Sequence, residues 1–86
     1  MIVRYTKDAL KFLKKLDKKS ADRIIEGING LLQTPPKGDI KQMKGFTDMR
    51  MRLRIGGWRV IYRYDAEGVA EILIVLDIGN RGDIYK

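Results

Sequence analysis

Arg50-Met51-Arg52-Leu53-Arg54-Ile55-Gly56-Gly57-Trp58-Arg59-Val60-Ile61-Tyr62-Arg63 holds a strand pattern, a turn and a row of cations in one stretch. Arg alternates with Met, Leu and Ile, so the guanidinium groups fall on one face of a strand and the apolar side chains on the other. Gly56-Gly57 supplies the positive φ angles of a two-residue hairpin turn, which sets Ile55 opposite Trp58, Arg54 opposite Arg59 and Arg50 opposite Arg63. Met51, Leu53, Ile55, Trp58, Val60 and Tyr62 then share the core face. Like charges opposed across a strand pair destabilise it, so a hairpin that only had to fold gains nothing from these arginines; a bound polyanion would offset the cost. The plainer alternative is a solvated edge, because Lys and Arg there also block pairing with other chains.

With 86 residues the chain is expected to form a single domain, residues 1–86, near the size where one core is marginal. It has no Cys, hence no disulfide or thiolate zinc site, and no His, the commonest general base and metal ligand. Chemistry is left to Asp, Glu, Lys, Tyr and Arg, with no metal and no cofactor expected. No signal-peptide run and no stretch of roughly 20 apolar residues is present, so a soluble cytoplasmic protein without a membrane partner is expected. The formal charge of +7 is uneven: Lys41, Lys44, Arg50, Arg52, Arg54, Arg59 and Arg63 face only Asp48, whereas from Tyr64 onward the acids dominate. A basic patch on a partly acidic scaffold suits a phosphate backbone.

Outward from the hairpin, Ile2 to Tyr5 reads as an opening strand and Thr6 as the N-cap of a helix with Ala9, Phe12, Leu13 and Leu16 inward. A polar turn, Asp17 to Ser20, offers Asp17 or Ser20 as the next N-cap. Ile24, Ile25, Ile28, Leu31 and Leu32 form the stripe of a second, more deeply packed helix that Pro35-Pro36 ends. Lys37 to Asp48 lacks periodicity and reads as a connecting loop. Asp65-Ala66-Glu67-Gly68 reads as a turn, Val69 to Leu76 as a buried strand, and Gly79 onward as too polar and Gly-rich to continue it. The expected fold class is α+β: a small antiparallel sheet, element order βααβββ, with a two-helix hairpin on one face.

The whole chain resembles the RelE-type toxins of type II toxin-antitoxin systems, within the RelE/ParE superfamily. The matching residues are the opening strand and Lys-rich helices, Met43-Lys44-Gly45, Arg50-Met51-Arg52-Leu53-Arg54, Gly57-Trp58-Arg59-Val60-Ile61-Tyr62-Arg63 and Ile78-Gly79-Asn80-Arg81-Gly82-Asp83-Ile84-Tyr85, the last two being the specific ones. The resemblance implies a RelE-like fold and a ribosome-dependent endoribonuclease that cleaves messenger RNA in the A site, inhibits translation and is neutralised by a cognate antitoxin. Its partners would be that antitoxin and the ribosome with mRNA and ribosomal RNA. Arg59, Arg81 and Tyr85 fall at the principal catalytic positions of that family; Arg50 and Arg52 fall where its best known members have lysines.

Cleavage by the 2′-hydroxyl needs a base, stabilisation of a phosphorane-like charge and protonation of the leaving 5′-oxygen. Tyr85 is a base only if neighbouring cations favour its phenolate, while Arg59 and Arg81 suit a bidentate hold on the phosphate. Lys44 is an alternative to either arginine as proton donor, since an arginine gives up its proton reluctantly. Lys44, Arg50, Arg52, Arg54 and Arg63 complete the set as RNA or phosphate contacts; arginine at 50 and 52 keeps the charge but cannot act as a base. Two rival readings share the same residues: a ParE-like inhibitor of DNA gyrase, and a non-catalytic basic module that binds nucleic acid through its β-ribbon.

Overall fold

The hairpin forms as its alternation and its paired glycines dictate. In the computed structural model, which describes residues 1–80, strand β3 (Met51–Ile55) pairs antiparallel with β4 (Trp58–Glu67), with Ile55 opposite Trp58 and Arg54 opposite Arg59. Positive φ falls on Gly56 alone, at 56°, as in turns that need it only at the first central position. The ladder begins with Met51 opposite Tyr62, so Arg50 stands just before β3 and the expected Arg50–Arg63 pair lies beyond it. Leu53, Val60 and Tyr62 are buried, and Met51, Ile55 and Trp58 are half-buried against them, on the face assigned to the core.

The remaining elements are β1 (Ile2–Tyr5), α1 (Lys7–Lys15), α2 (Lys18–Gly30), β2 (Asp39–Gln42) and β5 (Ala70–Asn80). They complete a five-stranded mixed sheet in the order β1-β5-β4-β3-β2, with β1 parallel to β5 and every other neighbour antiparallel. The fold class is the expected one, but the sheet is mixed and not antiparallel, because β1 enters beside β5 running the same way, and three further details differ. Asp39 to Gln42, read as loop, is an edge strand: β3 offers an unpaired backbone edge, and hydrogen bonding to it outweighs the missing apolar alternation. Asp65 to Glu67, read as turn, stays in β4, which reverses only after Glu67, with positive φ at Gly68. Gly79 and Asn80, judged too polar for the strand, pair with Arg59 and Trp58 as the end of β5.

Both helices pack on one face of this sheet. Thr6 caps α1 and Asp17, not Ser20, caps α2, each accepting from the backbone N–H three residues on. Ala9, Ile24, Ile28 and Leu31 meet Leu53, Val60, Tyr62, Leu73, Val75 and Ile78 to form the core. Gly27 of α2 packs directly against the tip of the Ile55 side chain, which would have to turn aside for a Cβ there. A bulge in β5 leaves Leu76 as the extra residue between Val75, opposite Tyr62, and Asp77, opposite Ile61. It lets Val75 and Ile78 both face the helices, and it returns Gly79 to the open face beside Arg59.

Candidate functional site

Strand parity sends Arg52, Arg54, Arg59 and Arg63 to the face without helices, since their neighbours Leu53, Val60 and Tyr62 are in the core. Arg4 and Lys41, at positions paired with Ile74 and Arg52, share that face by register. Ile61 lies among these arginines, opposite Arg52, and is only 3% exposed; Arg52 is itself largely covered, its side chain 14% exposed. The sequence thus correctly foretold a cationic sheet face.

The sequence did not reveal how far carboxylates temper it. Asp39 of the edge strand accepts from Arg54 Nε at 2.7 Å and reaches Arg52 at the looser distance of 3.5 Å. Arg52 keeps a buried Nε without a hydrogen-bond partner among the described residues, so it is the less firmly held of the two. Asp65 accepts from Arg63 at 3.1 Å; its carboxyl is held below the usual range first by the Ala66 backbone N–H and then by that guanidinium. Asp39 and Asp65 were invisible as partners because one arrives through β2, unread as a strand, and the other through a turn that is really strand.

Arg50 is engaged in its own loop. Asp48 accepts three hydrogen bonds from it, two from Nε at 3.0 and 3.2 Å and one from Nη2 at 2.8 Å. These bonds hold the Asp48 carboxyl below its ordinary value and raise the Arg50 guanidinium, so the pair stays ionised across the neutral range. The guanidinium also lies over Phe46, 4.2 Å from the ring centroid. Lys44 is exposed on the same loop, off the sheet face.

Of the three residues assigned to catalysis, Arg59 is on the open face between Arg54 of β3 and Gly79 of β5. Gly79 contributes no side chain beside it. Arg81 and Tyr85 lie outside the described residues. β5 ends at Asn80, one pair from Arg59, so the chain runs on from that end of the sheet. Among the described residues no group of three or more acidic side chains could hold a metal ion, and no helix is long and apolar enough to cross a membrane. The arrangement sets planar, always-charged donors, several of them held by carboxylates, on adjacent strands, and such donors are the kind that bond phosphate oxygens.

A family model described as the ParE toxin of the type II toxin-antitoxin system parDE matches residues 3–85. No curated protein matches the sequence. Among solved structures, the archaeal RelE-RelB complex from Pyrococcus horikoshii contains a chain 28% identical, with a TM-score of 0.69 over 95% of this chain and 96% of that one. The toxin-antitoxin complex RelBE2 from Mycobacterium tuberculosis matches at 26% identity and TM-score 0.71, covering 93% of this chain and 96% of that chain. The YoeB/ParE toxin from Agrobacterium tumefaciens, at 24% identity and TM-score 0.74 over 94% of this chain and 99% of that one, shares the fold.

Proposed function

The chain belongs to the ParE toxin family of type II toxin-antitoxin systems, within the RelE/ParE superfamily, and we propose that it acts as a ribosome-dependent endoribonuclease that cuts messenger RNA in the A site. The observation that carries this reading is the placement of Arg59 among the arginines of the open sheet face, one strand pair from the end that leads to Arg81 and Tyr85. Tyr85 follows Asn80 by five residues, a span of at most about 18 Å when extended, so covalent geometry allows its hydroxyl to meet a phosphate held at Arg59.

In the proposed reaction the Tyr85 phenolate, favoured by the surrounding guanidinium charge, takes the proton of the 2′-hydroxyl. The freed oxygen attacks the adjacent phosphorus, and Arg59 and Arg81 stabilise the charge that gathers on the phosphoryl oxygens. The 5′-oxygen leaves with a proton from Arg81, since Lys44 lies in the loop beyond Gln42 and Met51, at the other end of β3 from the Arg54–Arg59 pair. Arg52, Arg54 and Arg63 hold flanking phosphates of messenger or ribosomal RNA, whereas Arg50, expected from the sequence to join them, is neutralised by Asp48. No step requires a metal. The neighbouring structures from Pyrococcus and Mycobacterium are complexes of toxin with antitoxin, which supports a cognate antitoxin as the protein partner.

A second reading, inhibition of DNA gyrase, is favoured by the matching family model, which bears the ParE name. Controlled expression with transcript-end mapping separates the two. The nuclease reading expects cuts within translated messages and an early stop in translation, both abolished by Arg59→Ala, Arg81→Ala or Tyr85→Phe. DNA breaks with intact messages would overturn it in favour of the second.

A further inference from the structure

The loop between β2 and β3 carries an aromatic ring that the core does not use. Phe46 is 45% exposed and Met49, nearby in the same loop, is 69% exposed. The Arg50 guanidinium lies over that ring, 4.2 Å from its centroid, and Asp48 grips it with two parallel hydrogen bonds. Met49, between Asp48 and Arg50, holds a φ of 60°, a conformation that a residue with a side chain keeps only when its surroundings impose it. Asp48 balances the Arg50 charge, so this stack is poorly suited to take a phosphate. It suits a flat, neutral group laid against a fixed ring and guanidinium plane.

We propose that Phe46 and Arg50 form a stacking site for one unpaired base of a single-stranded RNA whose phosphates follow the arginines of β3. Unpaired bases are commonly bound on aromatic rings and on arginine planes, and an aromatic platform beside a cationic track is how single strands are held without sequence readout. Arg50 directly precedes β3, in line with Arg52 and Arg54, so a strand lying on those guanidinium groups passes the loop. Lys44 of the same loop and Lys41 of β2 are exposed cations close in sequence to the ring. A protein partner would call for a wider apolar footprint than one ring and one methionine. The proposal rests on the RNA-directed reading above, and it adds a base-binding element that the phosphate contacts do not provide.

The test uses the full chain and two uncleavable ligands of equal length: a short 2′-O-methyl adenosine oligonucleotide and an abasic strand of the same backbone, titrated at low salt. The parent should bind the base-bearing strand about tenfold more tightly than the abasic one. Phe46→Leu, which keeps an apolar side chain, should lose most of that preference with an unchanged unfolding midpoint; Phe46→Trp should restore or enlarge it. Equal binding of the two strands by the parent would overturn the proposal and leave the ring to a protein surface. No binding to either strand, or a preference that survives in Phe46→Leu, would overturn it too. The ligands cannot be cut, so failure here is distinct from failure of the nuclease reading, which transcript mapping decides separately.

Discussion

Thr6 joins two ends of the chain through one hydroxyl. Its oxygen accepts from Ala9 N at 3.2 Å, capping α1, and its proton goes to the Leu76 carbonyl at 2.7 Å. Leu76 is the bulge residue that sets the register of Gly79 beside Arg59, so the cap of the first helix also secures the strand end next to the proposed site. Half of this was legible: a threonine before a helical stripe is an N-cap signal, whereas a bond to a residue 70 positions away leaves no local trace. Thr6→Ala should cost about 2 kcal/mol, the sum of a lost cap and a part-buried carbonyl left unpaired. Thr6→Ser, which retains both bonds, should stay within about 0.5 kcal/mol of the parent. Urea unfolding midpoints decide the matter, and equal losses in the two variants would mean that the hydroxyl contributes nothing.

Strand β2 was illegible for a reason that belongs to its position in the sheet. It is a four-residue edge with one half-buried side chain, Ile40, so no apolar alternation announces it, and its conformation is imposed by the backbone of β3. The hairpin it borders was legible because alternation and a two-glycine turn fix register locally. What β2 adds is Asp39, placed opposite Arg54 and able to reach Arg52 as well. A half-exposed carboxylate of this kind stabilises the fold little, yet it competes with RNA phosphate for the same guanidinium groups. Asp39→Asn should therefore lower stability by less than about 1 kcal/mol. The same change should tighten binding to a single-stranded oligonucleotide and steepen the slope of log K against log salt by about 0.7, one further phosphate contact. An unchanged slope would show that Asp39 does not restrain those arginines during binding.

At the scale of the whole molecule, the helices cover one face of the sheet and the arginines occupy the other. Composition alone had shown a net charge of +7 and a cluster in the hairpin, but not whether the lysines of α1 act with it. They do not share its surface: Lys7, Lys11 and Lys14 are exposed on a helix packed against the core side of the sheet. If net charge governed RNA binding through long-range steering, removing any three cations would have nearly the same effect. If the open face governs it through direct phosphate contacts, position decides. Two triple variants that each remove three positive charges make the comparison: Lys7→Gln, Lys11→Gln and Lys14→Gln against Arg52→Gln, Arg54→Gln and Arg63→Gln. Glutamine keeps part of each stem in the second set, and unfolding midpoints verify that both sets fold. The helix variant should bind RNA within about threefold of the parent and lose affinity with salt at nearly the parent's slope. The sheet variant should bind at least about tenfold more weakly, with a slope shallower by up to about 2, three contacts at 0.7 each. Equal losses in the two variants would mean that the sheet face attracts RNA only as part of a diffuse positive field, and the placement of Arg59 within it would no longer support a phosphate-binding centre.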